Sequence, residues 1–68
     1  MNDEALNLSI RKFLKLVGVN SQREIEQAVA RAVADGSLAG AEAFPARMTL
    51  DVGRLKLNIA FDGEIRLE

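Results

Sequence analysis

The chain has 68 residues, nine Lys and Arg against ten Asp and Glu for a net charge of −1, and 49% apolar residues; that leaves room for one domain, residues 1–68, and argues against disorder. It contains neither cysteine nor histidine, which excludes disulfides, thiolate or imidazole metal sites and histidine proton shuttles, so no cofactor or metal is expected. Phe13, Phe44 and Phe61 are its only aromatics, a poor supply of stacking platforms for single-stranded nucleic acid.

Leu6, Ile10, Phe13, Leu14 and Val17 fall along one face of a 3.6-residue period, which predicts a first helix over residues 3–17. Asn2 or Asp3 can cap it, Asp3 and Glu4 suit its positive end, and Arg11, Lys12 and Lys15 suit its negative end. Gly18 is positioned to end it in the left-handed conformation. Ser21-Gln22-Arg23-Glu24 then reads as a capping box, which predicts a second helix over residues 21–35 with Ile25, Ala28, Val29, Ala32 and Val33 on its apolar stripe and Gly36 as its stop. Two helices this closely spaced would form an αα-hairpin.

Residues 37–46 lose all periodicity and predict a connection, with Leu38 and Phe44 turned inward. Pro45 biases Phe44 toward an extended backbone. Strict alternation follows, through Met48, Leu50 and Val52, then Leu55, Leu57 and Ile59, then Ile65 and Leu67. It predicts strands over 47–52, 55–60 and 64–68. A two-residue Gly53-Arg54 turn would pair Val52 with Leu55, Leu50 with Leu57 and Met48 with Ile59. A bulged Phe61-Asp62-Gly63 turn would pair Ile59 with Ile65 and Leu57 with Leu67, leaving Phe61 free to fold over the sheet edge. Asp51, Lys56 and Glu68 would then form a charged row on the outer face. The expected fold is a two-layer α+β sandwich of ααβββ order, a helical hairpin on a three-stranded antiparallel meander. Its outer strands would be open edges, so an edge-to-edge homodimer is geometrically accessible.

Chemistry-bearing constellations are few. The segment from Arg11 to Gln27 has the outline of a helix-turn-helix, but Leu14 and Glu24 stand where that motif packs a small and a branched apolar residue, and the chain has no excess positive charge to attract phosphate. Arg11, Lys12, Lys15 and Arg23 form a modest basic cluster, which as a solvated face is ordinary and as a site would suit an acidic protein partner. Gly36-Ser37-Leu38-Ala39-Gly40 follows a helix and lacks the Gly-Lys-Ser/Thr ending of a phosphate loop. Without histidine the few hydroxyls cannot form an acyl-transfer triad. Leu16 lies off the main stripe, and a lone exposed leucine is ordinary.

The run Asn7-Leu8-Ser9-Ile10-Arg11-Lys12-Phe13-Leu14-Lys15, followed by Val17-Gly18-Val19 and Ser21-Gln22-Arg23-Glu24-Ile25-Glu26, resembles a family of short uncharacterised bacterial proteins, as do Met48-Thr49-Leu50 and Asp62-Gly63-Glu64-Ile65. The resemblance implies a free-standing bacterial domain and no activity, ligand or site residue. No apolar run approaches the about 20 residues that cross a bilayer, and the Met-Asn-Asp-Glu start lacks signal-peptide character, so the expected location is the cytoplasm. The expected function is a non-enzymatic protein-interaction module that associates with itself or with another protein, Arg11, Lys12, Lys15, Arg23 and Phe61 being the candidate contacts. The alternative is nucleic-acid binding through residues 11–27.

Overall fold

In the computed structural model, which describes residues 1–68, the first helix does not stop at Gly18. A single helix α1 runs from Asp3 to Ala34, 32 residues. Asn2 caps it, its side-chain oxygen accepting from the Ala5 amide at 3.1 Å, with Asp3 and Glu4 in the first turn as the macrodipole favours. The expected helical hairpin is therefore replaced by one rod, and the Ser21 capping box does not form. A cap needs a chain that has left the helix. Here Asn20 stays inside it, its side-chain amide donating to the Leu16 carbonyl at 2.7 Å.

The physical reason lies in what an interruption would forfeit. Glycine inside a helix costs about 1 kcal/mol relative to alanine, whereas a break leaves several backbone groups without partners and demands a second nucleation. Gly36 does act as a stop. It takes a left-handed φ of +85°, and the Asp35 and Gly36 amides donate to the Arg31 and Val33 carbonyls at 3.0 and 3.2 Å.

The second half of the chain holds two strands instead of three. Strand β1 spans Ala43–Val52, β2 spans Leu57–Arg66, and they pair antiparallel. The intervening loop, residues 53–56, contains a 3-10 turn over Gly53–Leu55 and closes with the Lys56 amide donating to the Gly53 carbonyl at 3.1 Å. Lys56, not Gly53, takes the left-handed conformation, with φ +53°.

The predicted first hairpin is thereby shifted by two residues. Val52 opposes Leu57 in place of Leu55, Leu50 opposes Ile59, and Met48 opposes Phe61. A shift of two keeps every side chain on its face, so alternation alone could not choose between the registers. The far end of the pair chooses. In the observed register Phe44 meets Ile65, Arg47 meets Asp62, and Gly63 lies opposite the small Ala46. These pairings need the chain to run straight through Asp62-Gly63, which removes the bulged turn, the third strand and the expected row of Asp51, Lys56 and Glu68. Asp51 instead faces Asn58, and Lys56 sits in the loop. The connection is also shorter than expected, since Ala43 to Ala46 belong to β1.

The chain divides into two compact units, Met1–Ser37 and Leu38–Glu68. No residue of either is buried. No helix is long and apolar enough to cross a membrane.

Candidate functional site

Residues opposite each other in an antiparallel pair share a face, so the register sorts the hairpin into two unlike surfaces. One carries Ala43, Pro45, Arg47, Thr49 and Asp51 against Arg66, Glu64, Asp62, Ala60 and Asn58. Its ion pairs are Arg47 with Asp62 at 2.7 Å across the strands and Arg66 with Glu64 at 3.6 Å along β2, all well exposed. Pairs this exposed contribute at most about 1 kcal/mol. The other face carries Phe44, Ala46, Met48, Leu50 and Val52 against Ile65, Gly63, Phe61, Ile59 and Leu57, with no polar side chain among them. Met48 and Ile59 are each 45% exposed and Phe61 is 57% exposed.

Phe61 is therefore a member of this apolar face, opposite Met48, and not a turn residue at a sheet edge. That is a correction of its role. It remains the most exposed large side chain on the face.

The basic residues are exposed and spread along α1. At 100° per residue, Arg11, Lys12, Lys15 and Arg23 all fall on the side of the helix away from the apolar stripe. Lys12 and Arg23 are three turns apart, roughly 16 Å, with Glu26 one turn beyond Arg23 on the same side. The expected patch at a helix junction thus becomes an elongated polar face, and none of the four makes a salt bridge. The helix-turn-helix outline loses the turn that defined it, because residues 11–27 are continuous helix.

Each unit has a carboxylate that binds neighbouring backbone amides, Asp35 in the first and Glu42 in the second. The Glu42 carboxylate accepts from the amides of Ala39, Gly40 and Ala41 at 2.8, 2.9 and 3.1 Å. Those bonds, to Ala39 first and Gly40 second, hold its pKa below the usual value. Asp35 is likewise lowered, by the Ser37 hydroxyl first and the Ser37 amide second. Gly40 supplies the left-handed step at φ +111° that points successive amides at one carboxylate. The Glu42 carbonyl also accepts from the Leu67 amide at 2.9 Å, continuing the ladder one step past β1. Neither carboxylate was singled out from sequence. A Gly-x-Glu ahead of a strand is the faint signal that pointed there.

No group of three or more Asp, Glu, His or Cys is placed to hold a metal ion. A shallow dent lined by Pro45, Ala46, Arg47 and Asp62 offers one guanidinium already engaged by its carboxylate neighbour. The hairpin's apolar face presents ten residues with no polar side chain among them and none buried.

Compared with known proteins, the chain matches DUF6494, a family of unknown function, across residues 1–68. No curated protein and no solved structure matches it.

Proposed function

We propose that this chain, which belongs to the DUF6494 family, is a non-enzymatic interaction module that docks a protein surface, its own copy included, on the apolar face of the hairpin. The observation that carries this reading is the unbroken apolar surface of five successive cross-strand pairs, Phe44 with Ile65 through Val52 with Leu57, none of whose side chains is buried. An isolated two-stranded hairpin is marginal in water and gains stability when its apolar face is covered. Covering it would remove the exposed part of several large side chains from water, about half of the 1.5–3 kcal/mol that full burial of each from full exposure is worth. The polar face, with its paired charges, gives such a complex a wetted outer side.

The test compares Ile59→Asp, at the middle of the apolar face, with Thr49→Asp on the polar face. Circular dichroism reports whether each folds; sedimentation and capture of partners from lysate report association. Ile59→Asp is expected to weaken association at least tenfold and Thr49→Asp to leave it within about twofold. A wild-type chain that is strictly monomeric and captures nothing specific would overturn the reading, as would equal association of the two variants.

A further inference from the structure

The hairpin has two free edges, and they are unlike. The Leu67 amide donates to the Glu42 carbonyl, one step past the pair Ala43 and Arg66. In an antiparallel ladder, hydrogen-bonded pairs alternate with pairs whose amides and carbonyls point outward. The pairs of the apolar face, Phe44 with Ile65 through Val52 with Leu57, are therefore bonded across the hairpin, and the pairs of the polar face turn their backbone groups to the edges. On β1 one of these outward positions is Pro45, which has no amide hydrogen to offer and is suited to such a place. On β2 they are Asn58, Ala60, Asp62, Glu64 and Arg66. All are exposed, and none of their amides has a partner within the chain. Proline, bulges and lysines are the devices by which sheets block an open edge. β1 carries a proline, whereas β2 pairs without a bulge and has no proline, lysine or positive φ.

The β2 edge also fits itself. Two β2 strands related by a two-fold axis run antiparallel. Side chains keep their faces, and outward amides meet outward carbonyls, only when the numbers of opposed residues sum to an even value. The two longest overlaps within Leu57–Arg66 are centred on Phe61, opposing residues 57–65, and on Asp62, opposing residues 58–66. Centring on Asp62 sets that carboxylate against its own copy, and like charges directly opposite are destabilising. Moving the axis on to Gly63 opposes Asp62 with Glu64 and shortens the overlap. Centring on Phe61 sets Asn58 against Glu64 and Ala60 against Asp62, with no like charges opposed. On the apolar face it sets Leu57 against Ile65, Ile59 against Gly63, and Phe61 against Phe61, an aromatic pair of the kind that stabilises neighbouring strands.

The product answers a weakness of the single chain. A two-stranded hairpin is marginal alone, and further strands are one remedy. Joining β2 to β2 gives a four-stranded sheet in which Asn58, Ala60, Asp62 and Glu64 each gain an amide and a carbonyl bond, and the two apolar faces run on into one. We infer that β2 pairs edge to edge with β2 of a second copy, antiparallel about a two-fold axis at Phe61. The inference rests on the interaction-module reading and engages the edge of the sheet, where that reading engages its face.

Proline at an outward position deletes an edge donor and spares the hairpin's own ladder, and Ala60 and Thr49 stand opposite each other on the two strands. In sedimentation equilibrium Ala60→Pro is expected to weaken self-association about tenfold or more, and Thr49→Pro, on the β1 edge, to leave it within about twofold. Circular dichroism should show both variants folded like the wild type. Equal effects of the two folded variants overturn the pairing. Because the chain has no cysteine, introduced thiols decide the matter even if Ala60→Pro unfolds. Phe61→Cys should give a disulfide-linked dimer on mild oxidation, its Cα atoms about 4.5 Å apart in a pair of this kind. Met48→Cys should not, since three strand spacings, about 14 Å, separate it from its copy. Crosslinking of Met48→Cys as strong as that of Phe61→Cys overturns the pairing. Association kept in Ala60→Pro and lost in Ile59→Asp belongs to the apolar face; that result overturns the edge pairing and leaves the module reading intact. A chain that is monomeric up to about 1 mM overturns the pairing, and capture of other partners then decides the module reading separately.

Discussion

The helix and the hairpin respond in the same way to an interrupting signal, though their bonding is opposite in kind. In α1 every backbone bond joins residues four apart, and the helix runs through Gly18. In the hairpin the bonds join residues as far apart as Glu42 and Leu67, and β2 runs through Asp62-Gly63. Gly36 and Gly40, by contrast, take positive φ and do turn the chain. A glycine permits a break and does not compel one. The chain turns between Asp35 and Glu42, where those two carboxylates accept from the freed amides, and continues where a break would leave backbone groups without partners.

The largest expected effect breaks the helical half of this comparison. Gly18→Pro removes a backbone donor and inserts a ring into the previous turn, a cost of about 3 kcal/mol or more. Far-ultraviolet circular dichroism should show a large loss of helicity. The companion change Gly18→Ala sharpens the contrast, because a Cβ there meets nothing within 4 Å. It should raise helix stability by about 1 kcal/mol in thermal denaturation. Were Gly18 a left-handed stop, the same change would destabilise.

The hairpin half is tested by Gly63→Thr, where again a Cβ meets nothing within 4 Å and φ is not positive. A β-branched residue in a continuous strand should stabilise by up to about 1 kcal/mol, read as a higher melting temperature. In a bulged turn it would destabilise.

The smallest effect concerns the joint. Glu42 has its pKa lowered in the folded chain, so its contribution is fully present above the ordinary glutamate value of about 4.3. It is lost as pH falls through the lower, folded value. Hydrogen exchange at Ala39, Gly40 and Ala41, corrected for its intrinsic pH dependence, should lose protection over that acid range in the wild type. Glu42→Gln should show no such step.

The parts of the fold legible in the sequence were those where local chemistry has no competitor. The cap, expected at Asn2 or Asp3, falls at Asn2, and the first-turn acids, the Gly36 stop and the shared face of Met48, Leu50 and Val52 with Leu57 and Ile59 agree with the structure, whereas Leu55 lies in the 3-10 turn and not in a strand. Gly18 and Asp62-Gly63 were misread for one reason. Each is a local turn signal, and a local signal does not register the backbone bonds that a break would forfeit. The register was illegible for another. Shifts of two conserve both faces, and only the pairing of Arg47 with Asp62 and Phe44 with Ile65 at the far end distinguishes them. Of the candidate residues, Phe61 lies opposite Met48 on the apolar face and not in a turn, and the four basic residues are exposed but spread along α1.

The short loop of residues 53–56 bears on how fast the hairpin closes. With the strands joined by so few residues, cross-strand pairs can close outward from Val52 and Leu57, and a hairpin of this kind forms on the order of 1–10 µs. A helix relaxes in about 0.1–1 µs. Both units are thus complete within about 10 µs, and no side chain of the hairpin's apolar face is buried, so any molecule that covers that face meets a surface already formed.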